Sequence, residues 1–197
     1  MDWLVTNAGR CEPLPQASKP NYGGECYRLY RFLTDLEDIL SQDLELTQQL
    51  AELVPLGRRL LTESYWWQVP DHRPDPELGW AVQTLYDEPF FDLTVQLVTW
   101  LPGAGSPIHN HGTWGIIAMI SGTELNRFWQ NSGQAQPIQW AGEQSFGAGE
   151  IVALMPEVIH QVEVQGAEPT ISLNIYGKAD YKARFEFDPV NLSPKPY

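Results

Sequence analysis

The chain has 197 residues, of which 43% are hydrophobic and 12% aromatic, and its 12 basic and 25 acidic side chains give a formal net charge of −13. This length suits one globular domain with a full hydrophobic core. The excess of negative charge repels phosphate groups, so the composition argues against binding to nucleic acids or to anionic membranes.

The sequence also bears on where the protein works. The first ten residues, MDWLVTNAGR, lack a basic segment followed by an apolar one, so we expect no secretory signal peptide. The apolar runs are shorter than the ~18 residues of a membrane span. Cys11 and Cys26 do not make a disulfide framework and are typical of reduced thiols. We therefore expect a cytoplasmic protein.

The N-terminal third is predicted to combine an irregular arm with helices. Residues 1–24 are rich in proline and glycine, which favours an irregular arm. Leucine recurs at helical spacing within 25–40 and predicts a helix there. Ser41 and Asp43 favour the start of a second helix. Pro55 is expected to break or kink that helix before a third short helical piece.

The rest of the chain has the pattern of a β-protein. Residues 66–79, WWQVPDHRPDPELG, predict a loop, and we interpret His72 within it as a solvated histidine. From Phe91 on, apolar and polar residues alternate as in a half-buried strand. Glycine and proline turns, one of them at 131–134, then divide the chain into short strands. This pattern predicts an antiparallel sandwich or barrel.

We predict one domain with four parts. They are an irregular arm over 1–24, a helical segment over 25–80 packed on the barrel, a β-barrel over 81–190, and a mobile or extended tail over 191–197.

Three of the four histidines lie in β-like stretches. His109 and His111 are two residues apart, so on a strand both imidazoles would leave the same face. His160 follows about fifty residues later in VIHQVEV. Imidazole is the commonest side-chain ligand of metals, so the three histidines predict a metal site. The alternative is a set of histidines that share a face by chance.

The residues around His109 and His111 resemble the first motif of the cupin superfamily. That motif is a glycine, five residues, His-x-His, three or four residues, a glutamate, six residues and a glycine. Gly103, the two histidines and Gly122 fit the spacing. Gly115 stands where the glutamate ligand of the motif would be.

The second cupin motif is similar to residues 149–160, GEIVALMPEVIH, which end at His160 and lack the glycine expected between proline and histidine. Three histidines without the glutamate resemble the thiol dioxygenases, the cysteine dioxygenase-like branch. The resemblance covers roughly 81–184. It implies an all-β cupin jelly roll, a double-stranded β-helix, with an N-terminal helical segment. It also implies iron(II) held by the three histidines.

Three neutral imidazoles would leave a divalent ion its full +2 charge and, in octahedral iron, three open adjacent positions. Such a site favours an anionic bidentate ligand, for example a thiolate with a second donor, and leaves room for dioxygen. Three histidines with an open fourth position also describe hydrolytic zinc sites, and zinc or nickel could occupy a purified sample. The jelly roll favours iron by family analogy alone.

Ser172, Asn174 and Tyr176 share one face of a predicted strand over 170–176, and apolar residues share the other. This alternation is ordinary for a strand whose polar face meets water. It also resembles the serine–histidine–tyrosine relay of thiol dioxygenases, with Asn174 replacing the histidine. Asparagine can hold the hydrogen-bond chain but cannot take up a proton near neutral pH. The resemblance gives Tyr176 the role of positioning substrate or oxygen.

Three further residues are candidates for binding substrate. Gln83 stands near the position of the carboxylate-binding arginine of cysteine dioxygenases, and glutamine there resembles the 3-mercaptopropionate branch. In that branch an arginine after the tyrosine strand binds the carboxylate, which makes Arg184 the candidate; the alternative is a surface arginine. Trp114 either walls the pocket or packs. Gly115 also stands where mammalian-type enzymes carry a cysteine cross-linked to the tyrosine, so Tyr176 is expected to be unmodified.

The first hypothesis is a mononuclear non-haem iron thiol dioxygenase that oxidises a small thiol, a mercapto acid or a cysteine-like compound, to its sulfinic acid with dioxygen. The second is another metal-dependent cupin enzyme, such as an isomerase or a different dioxygenase. The third is a non-catalytic cupin that senses a metal or ligand. The expected partners are a small thiol and dioxygen, without nucleic acid or membrane, and the chain is expected to be a monomer or homodimer.

Overall fold

The computed structural model describes residues 1–14, 26–64, 73–88, 90–131, 137–178, 180 and 182–196. His72 and most of the predicted turn at 131–134 lie outside the described residues. The helices are α1 Leu29–Leu40 and α2 Leu46–Glu63. The strands are β1 Asp2–Val5, β2 Cys11–Pro13, β3 Trp80–Glu88, β4 Phe91–Trp100, β5 Ile108–Asn110, β6 Gly115–Ser121, β7 Thr123–Gln130, β8 Gln139–Gly147, β9 Ile151–Leu154, β10 Ile159–Gln165, β11 Thr170–Gly177, β12 Phe185–Phe187 and β13 Pro194–Pro196.

These strands form two sheets. The seven-stranded sheet has the order β2-β1-β9-β6-β11-β4-β3, and the six-stranded sheet has the order β13-β12-β5-β10-β7-β8. From β4 to β7 and from β8 to β12 the chain passes from one sheet to the other at every strand. Neighbouring strands pair antiparallel except β1 and β9, which are parallel. This is the predicted cupin jelly roll with a small helical segment, so the prediction of fold class is confirmed.

Apolar side chains fill two regions around the seven-stranded sheet. On its outer face, Leu53 and Leu60 of α2 pack with Leu173 and Ile175 of β11, all at most 2% exposed. Each fully buried side chain of this kind contributes about 1.5–3 kcal/mol through the hydrophobic effect. Inside the barrel, an apolar cluster that includes Met119 occupies the region near β6 and β9. The interior near β4 and β11 is left for a cavity.

The predicted third short helical piece is wrong, and of the predicted break or kink at Pro55 the break does not occur. α2 continues from Leu46 to Glu63 with Pro55 inside it. A proline in a helix interior removes one hydrogen bond and usually costs about 3 kcal/mol. Val54 and Leu56 on either side are 2% and 7% exposed, and their burial against the sheet offsets that cost. Ser41 ends α1 instead of starting α2, since its backbone N–H bonds to the Glu37 carbonyl.

The expectation of an irregular arm over 1–24 is also wrong for the residues that the structure describes. β1 pairs with β9, and β2 pairs with β1, so both strands extend the seven-stranded sheet. The Trp3 indole donates a hydrogen bond to Glu150 over 3.0 Å, and the buried Asp2 carboxylate pairs with Arg58 of α2. These contacts hold the first strand in the fold. Neither helix of the described chain is long and apolar enough to cross a membrane.

Candidate metal centre

Three histidines meet inside the barrel. His109 on β5 lies directly across the strand ladder from His160 on β10. His111 follows β5, and its Nε2 atom lies 3.0 Å from Nε2 of His160. One ring nitrogen from each histidine lies within 4.8 Å of the other two. The jelly roll therefore brings together the three histidines that the sequence singled out, although they are up to 51 positions apart.

The geometry of this cluster fits a single metal ion. Two nitrogens that each lie about 2.1 Å from an ion, and at a right angle about it, are about 3.0 Å apart. The Nε2 atoms of His111 and His160 have this separation. In His109, Nδ1 lies 3.0 Å from the Pro107 carbonyl oxygen, which only an N–H can satisfy. That tautomer leaves the Nε2 lone pair of His109 for a metal.

The environment also keeps the three imidazoles neutral. Burial is the largest cause that lowers the pKa of His109, and it outweighs the effect of the Pro107 carbonyl. Burial lowers the pKa of His111 well below its usual value, and the nearby histidines and Arg184 lower it further. Burial and the neighbouring His109 have the same effect on the pKa of His160. Neutral imidazole is the form that binds metals, so no proton has to be displaced.

Asn126 is a candidate that sequence reasoning missed. This residue of β7 is 4% exposed, and its Oδ1 lies 2.9 Å from Nδ1 of His160. The amide oxygen accepts the Nδ1 proton and so leaves Nε2 of His160 for a metal. One signal was present in TELNRFWQ, where Glu124 and Asn126 alternate with other residues on what becomes the inner face of a strand. Only the strand register shows that this face meets His160.

The space beside Gly115 leaves little room for a glutamate side chain. A Cβ atom built at Gly115 would lie 3.0 Å from Cε1 of Tyr176, which is too close for an ordinary contact. The Tyr176 ring also stacks on His111, with centroids 4.6 Å apart and an angle of 28° between the planes. A glutamate at 115 would therefore have to displace the tyrosine. Gly115 and the position of Tyr176 depend on each other.

The polar face of β11 lines the cavity and does not face bulk water. The Tyr176 hydroxyl donates to Asn174 Oδ1 over 3.2 Å. The Asn174 amide donates to Ser172 Oγ over 2.9 Å and to the Ser172 carbonyl oxygen over 3.2 Å. Ser172 and Asn174 are only 2% and 4% exposed. The chain of hydrogen bonds fixes the direction of the tyrosine hydroxyl.

Arg184 lines the same cavity as the histidines. Asn110, the middle residue of His-x-His, bonds to the backbone on both sides of Arg184. The Asn110 amide donates to the Ala183 carbonyl oxygen over 2.7 Å, and the Phe185 backbone N–H donates to Asn110 Oδ1 over 2.7 Å. The sequence motif therefore sets the position of the arginine as well as the two imidazoles. Sequence reasoning gave Asn110 no role.

Two of the predicted substrate-binding residues, Gln83 and Trp114, are not on the cavity wall. Val82 lines the cavity, and strand alternation turns the neighbouring Gln83 to the opposite, exposed side of β3. Trp114 packs against the core on the helix side of the sheet, with its indole beside Gly177. Thr113 lines the cavity in its place.

The cavity has a volume of about 750 Å³. The three histidines, Tyr176 and Arg184 lie on its wall, as do Glu124, Trp80 and Trp100.

No family model matches the sequence. An oxalate decarboxylase from Lactobacillus farciminis, solved as a formate complex, is 19% identical with a TM-score of 0.45 over 54% of this chain and 31% of its own. The Bacillus subtilis oxalate decarboxylase, described with Mn(II) centres, is 26% identical with a TM-score of 0.44 over 52% of this chain and 27% of its own. A cupin 2 conserved barrel domain protein from Salinispora arenicola is 19% identical with a TM-score of 0.41 over 56% of this chain and 91% of its own. This chain therefore spans less than a third of the two decarboxylases.

Proposed function

We propose that this protein is a mononuclear non-haem iron(II) thiol dioxygenase, which oxidises a small thiol to its sulfinic acid with dioxygen. One observation carries the proposal. Three histidines form a cluster that, among the described residues, includes no carboxylate, and they lie in a cavity that also contains Tyr176 and Arg184. The resemblance to thiol dioxygenases rests on the same residues.

The histidine set suits this chemistry because it adds no negative charge. Iron(II) held by His109, His111 and His160 would supply a +2 charge that favours a thiolate over a thiol, together with open positions for substrate and dioxygen. Asn126 and the Pro107 carbonyl orient two of the three rings through their Nδ1 atoms. Residues that orient metal-binding histidines in this way usually contribute strongly to affinity.

Arg184 would bind the carboxylate of the substrate. A guanidinium group recognises a carboxylate through two parallel hydrogen bonds. Asn110 fixes the backbone next to Arg184 on both sides, and this limits the positions that the guanidinium can take. A mercapto acid would thus be held at its carboxylate, with its sulfur directed to the histidines.

Tyr176 would position the substrate or oxygen. Its hydroxyl donates to Asn174, and the side chain borders the cavity. Asn174 has no group that titrates near neutral pH, so the Ser172–Asn174–Tyr176 chain orients the hydroxyl but does not carry a proton. Protons would have to leave the site by another route.

Oxygen uptake by the iron(II)-loaded protein tests the proposal. The thiols are cysteine, cysteamine, 3-mercaptopropionate and mercaptosuccinate. We expect uptake with a carboxylate-bearing thiol, no uptake by His160→Ala, and normal uptake by His72→Ala, which removes the one histidine outside the cupin-like motifs of the sequence. Absence of uptake with every thiol, on protein that holds iron, would contradict the proposal.

The absence of a histidine at 174 favours one alternative, a cupin that binds a metal or ligand without turnover. The two functions differ in the behaviour of Asn174→His. Oxygen uptake that appears only in this variant would support the non-catalytic function. Uptake by the unchanged protein would exclude it.

A further inference from the structure

Glu124 is a buried carboxyl on the wall of the cavity, apart from the histidines. It is 2% exposed and lies on β7 two residues before Asn126, which places it about 7 Å further along the strand. Thr170 Oγ1, which is 0% exposed, donates to Glu124 Oε1 over 2.8 Å. Within the described part of the chain, no other hydrogen bond to this carboxyl and no ion pair with it is found.

The strands around Glu124 present no cation to it. Its cross-strand partners are Val164 on β10 and Phe146 on β8, which are 4% and 1% exposed. On strand β11, which faces β7, the polar group nearest to Glu124 is the Thr170 hydroxyl. The basic residue that follows on β7, Arg127, lies on the other face, where it pairs with Glu143 and Glu163.

A carboxylate without a counter-ion in such a place is unfavourable. Burial raises the pKa of Glu124 to about 7, and the hydrogen bond from Thr170 lowers it only in part. Since the carboxyl also borders the cavity, a ligand can reach it. A positively charged group of a ligand would supply the missing counter-ion.

Two tryptophans lie at the same end of the cavity. Trp100 is the cross-strand neighbour of both Thr170 and Trp80, and the two indole rings have centroids 6.0 Å apart. Trp80 is 39% exposed, so its ring is accessible. The faces of tryptophan rings attract ammonium groups, and a carboxylate provides a hydrogen-bond acceptor and a full negative charge.

We propose that Glu124, Thr170, Trp80 and Trp100 form a second subsite, which binds a primary ammonium group of the substrate. The link of this group to a thiol rests on the proposed function; the subsite itself does not. The substrate would then be a thiol that also carries a primary ammonium group, as cysteine and cysteamine do. A cavity of about 750 Å³ has room for it, since pockets of ~300–1,000 Å³ hold drug-sized ligands.

The test uses hexylammonium and, as an uncharged molecule of matching length, 1-hexanol. Calorimetry measures the binding of each to the purified protein, and the ¹³C signal of the Glu124 carboxyl, assigned by its loss in Glu124→Gln, follows the protonation of this residue. We expect hexylammonium to bind at least ~10-fold more tightly than hexanol and to lower the pKa of the Glu124 carboxyl.

Glu124→Gln keeps the size of the side chain and an oxygen that accepts from Thr170, so it is expected to fold. It should lose most of the preference for hexylammonium, since only the attraction of the tryptophan rings for the ammonium group remains. Glu168→Gln removes the same charge from an exposed position and should keep the preference. The subsite is refuted if Glu124→Gln retains the preference, or if hexylammonium leaves the Glu124 signal unchanged.

This measurement needs neither thiol nor dioxygen. A protein that binds hexylammonium through Glu124 but takes up no oxygen with any thiol would refute the proposed reaction and keep the subsite. A protein that takes up oxygen with a thiol but does not bind hexylammonium through Glu124 would refute the subsite and keep the reaction.

Discussion

The two faces of strand β11 are equally buried but have different surroundings. Leu173 and Ile175 are 2% and 1% exposed and pack against the helices. Ser172 and Asn174 are 2% and 4% exposed and bond to each other beside the cavity. Burial alone therefore does not distinguish a core from a site. What marks the site is a buried polar face whose partners are other polar groups and a cavity.

The largest expected effect comes from the apolar face. Leu173→Ala should lower the free energy of unfolding by about 2–5 kcal/mol, because it leaves a cavity between the sheet and the helices. Urea denaturation measures the loss. Metal affinity should stay unchanged in this variant. A parallel loss of metal affinity would show that the two faces are not independent.

The buried carboxyl on the cavity side should make stability depend on pH. Folding raises the pKa of Glu124 from 4.5 to about 7, so its contribution is fully present below pH 4.5 and is lost as the pH rises through 7. As the pH rises between these limits, the free energy of unfolding of Glu124→Gln should increase relative to that of wild type by on the order of 3 kcal/mol. Urea denaturation at pH 4.5 and pH 8 measures this change. An equal difference at the two pH values would contradict the assignment.

Metal affinity should depend on the residue that orients His160. Asn126→Leu removes the acceptor for the His160 Nδ1 proton and should weaken metal binding about 10–100-fold. Asn126→Asp keeps an acceptor at the same place and should bind metal at least as tightly as wild type. Competition with a chromophoric chelator measures both. Equal affinities for the leucine and aspartate variants would mean that Asn126 does not orient the ring.

The smallest expected effect comes from the polar face of β11. Ser172→Ala removes the Oγ acceptor, but the Asn174 amide keeps its bond to the Ser172 carbonyl oxygen. The free energy of unfolding should fall by only about 1 kcal/mol. Urea denaturation beside Leu173→Ala makes the comparison direct. A loss as large as that of the leucine variant would contradict the distinction between the two faces.

The parts of the site that could be predicted from sequence are those set by local spacing. His109 and His111 share a site because they are two residues apart in one motif, and Ser172, Asn174 and Tyr176 share a face because strand side chains alternate. Asn126 and Glu124 could not be assigned, since their roles depend on which strands become neighbours. The same reason hid β1, whose partner β9 begins at Ile151.

Gln83 and Trp114 each lie one residue beyond a side chain that lines the cavity. Gln83 follows Val82, which faces the cavity, and Trp114 follows Thr113, which does so as well. A shift of one residue turns each side chain to the opposite face. Pro55 was misjudged for a different reason. The cost of a proline in a helix interior, about 3 kcal/mol, is offset by the burial of Val54 and Leu56 beside it.

The metal content of the iron(II)-loaded protein tests the central claim most directly. After anaerobic loading and gel filtration, wild type and His72→Ala should each hold about one ion per chain. His109→Ala, His111→Ala and His160→Ala should each hold almost none, because each removes one of three ligands on a single ion. Full occupancy in any of these three variants would contradict the three-histidine centre.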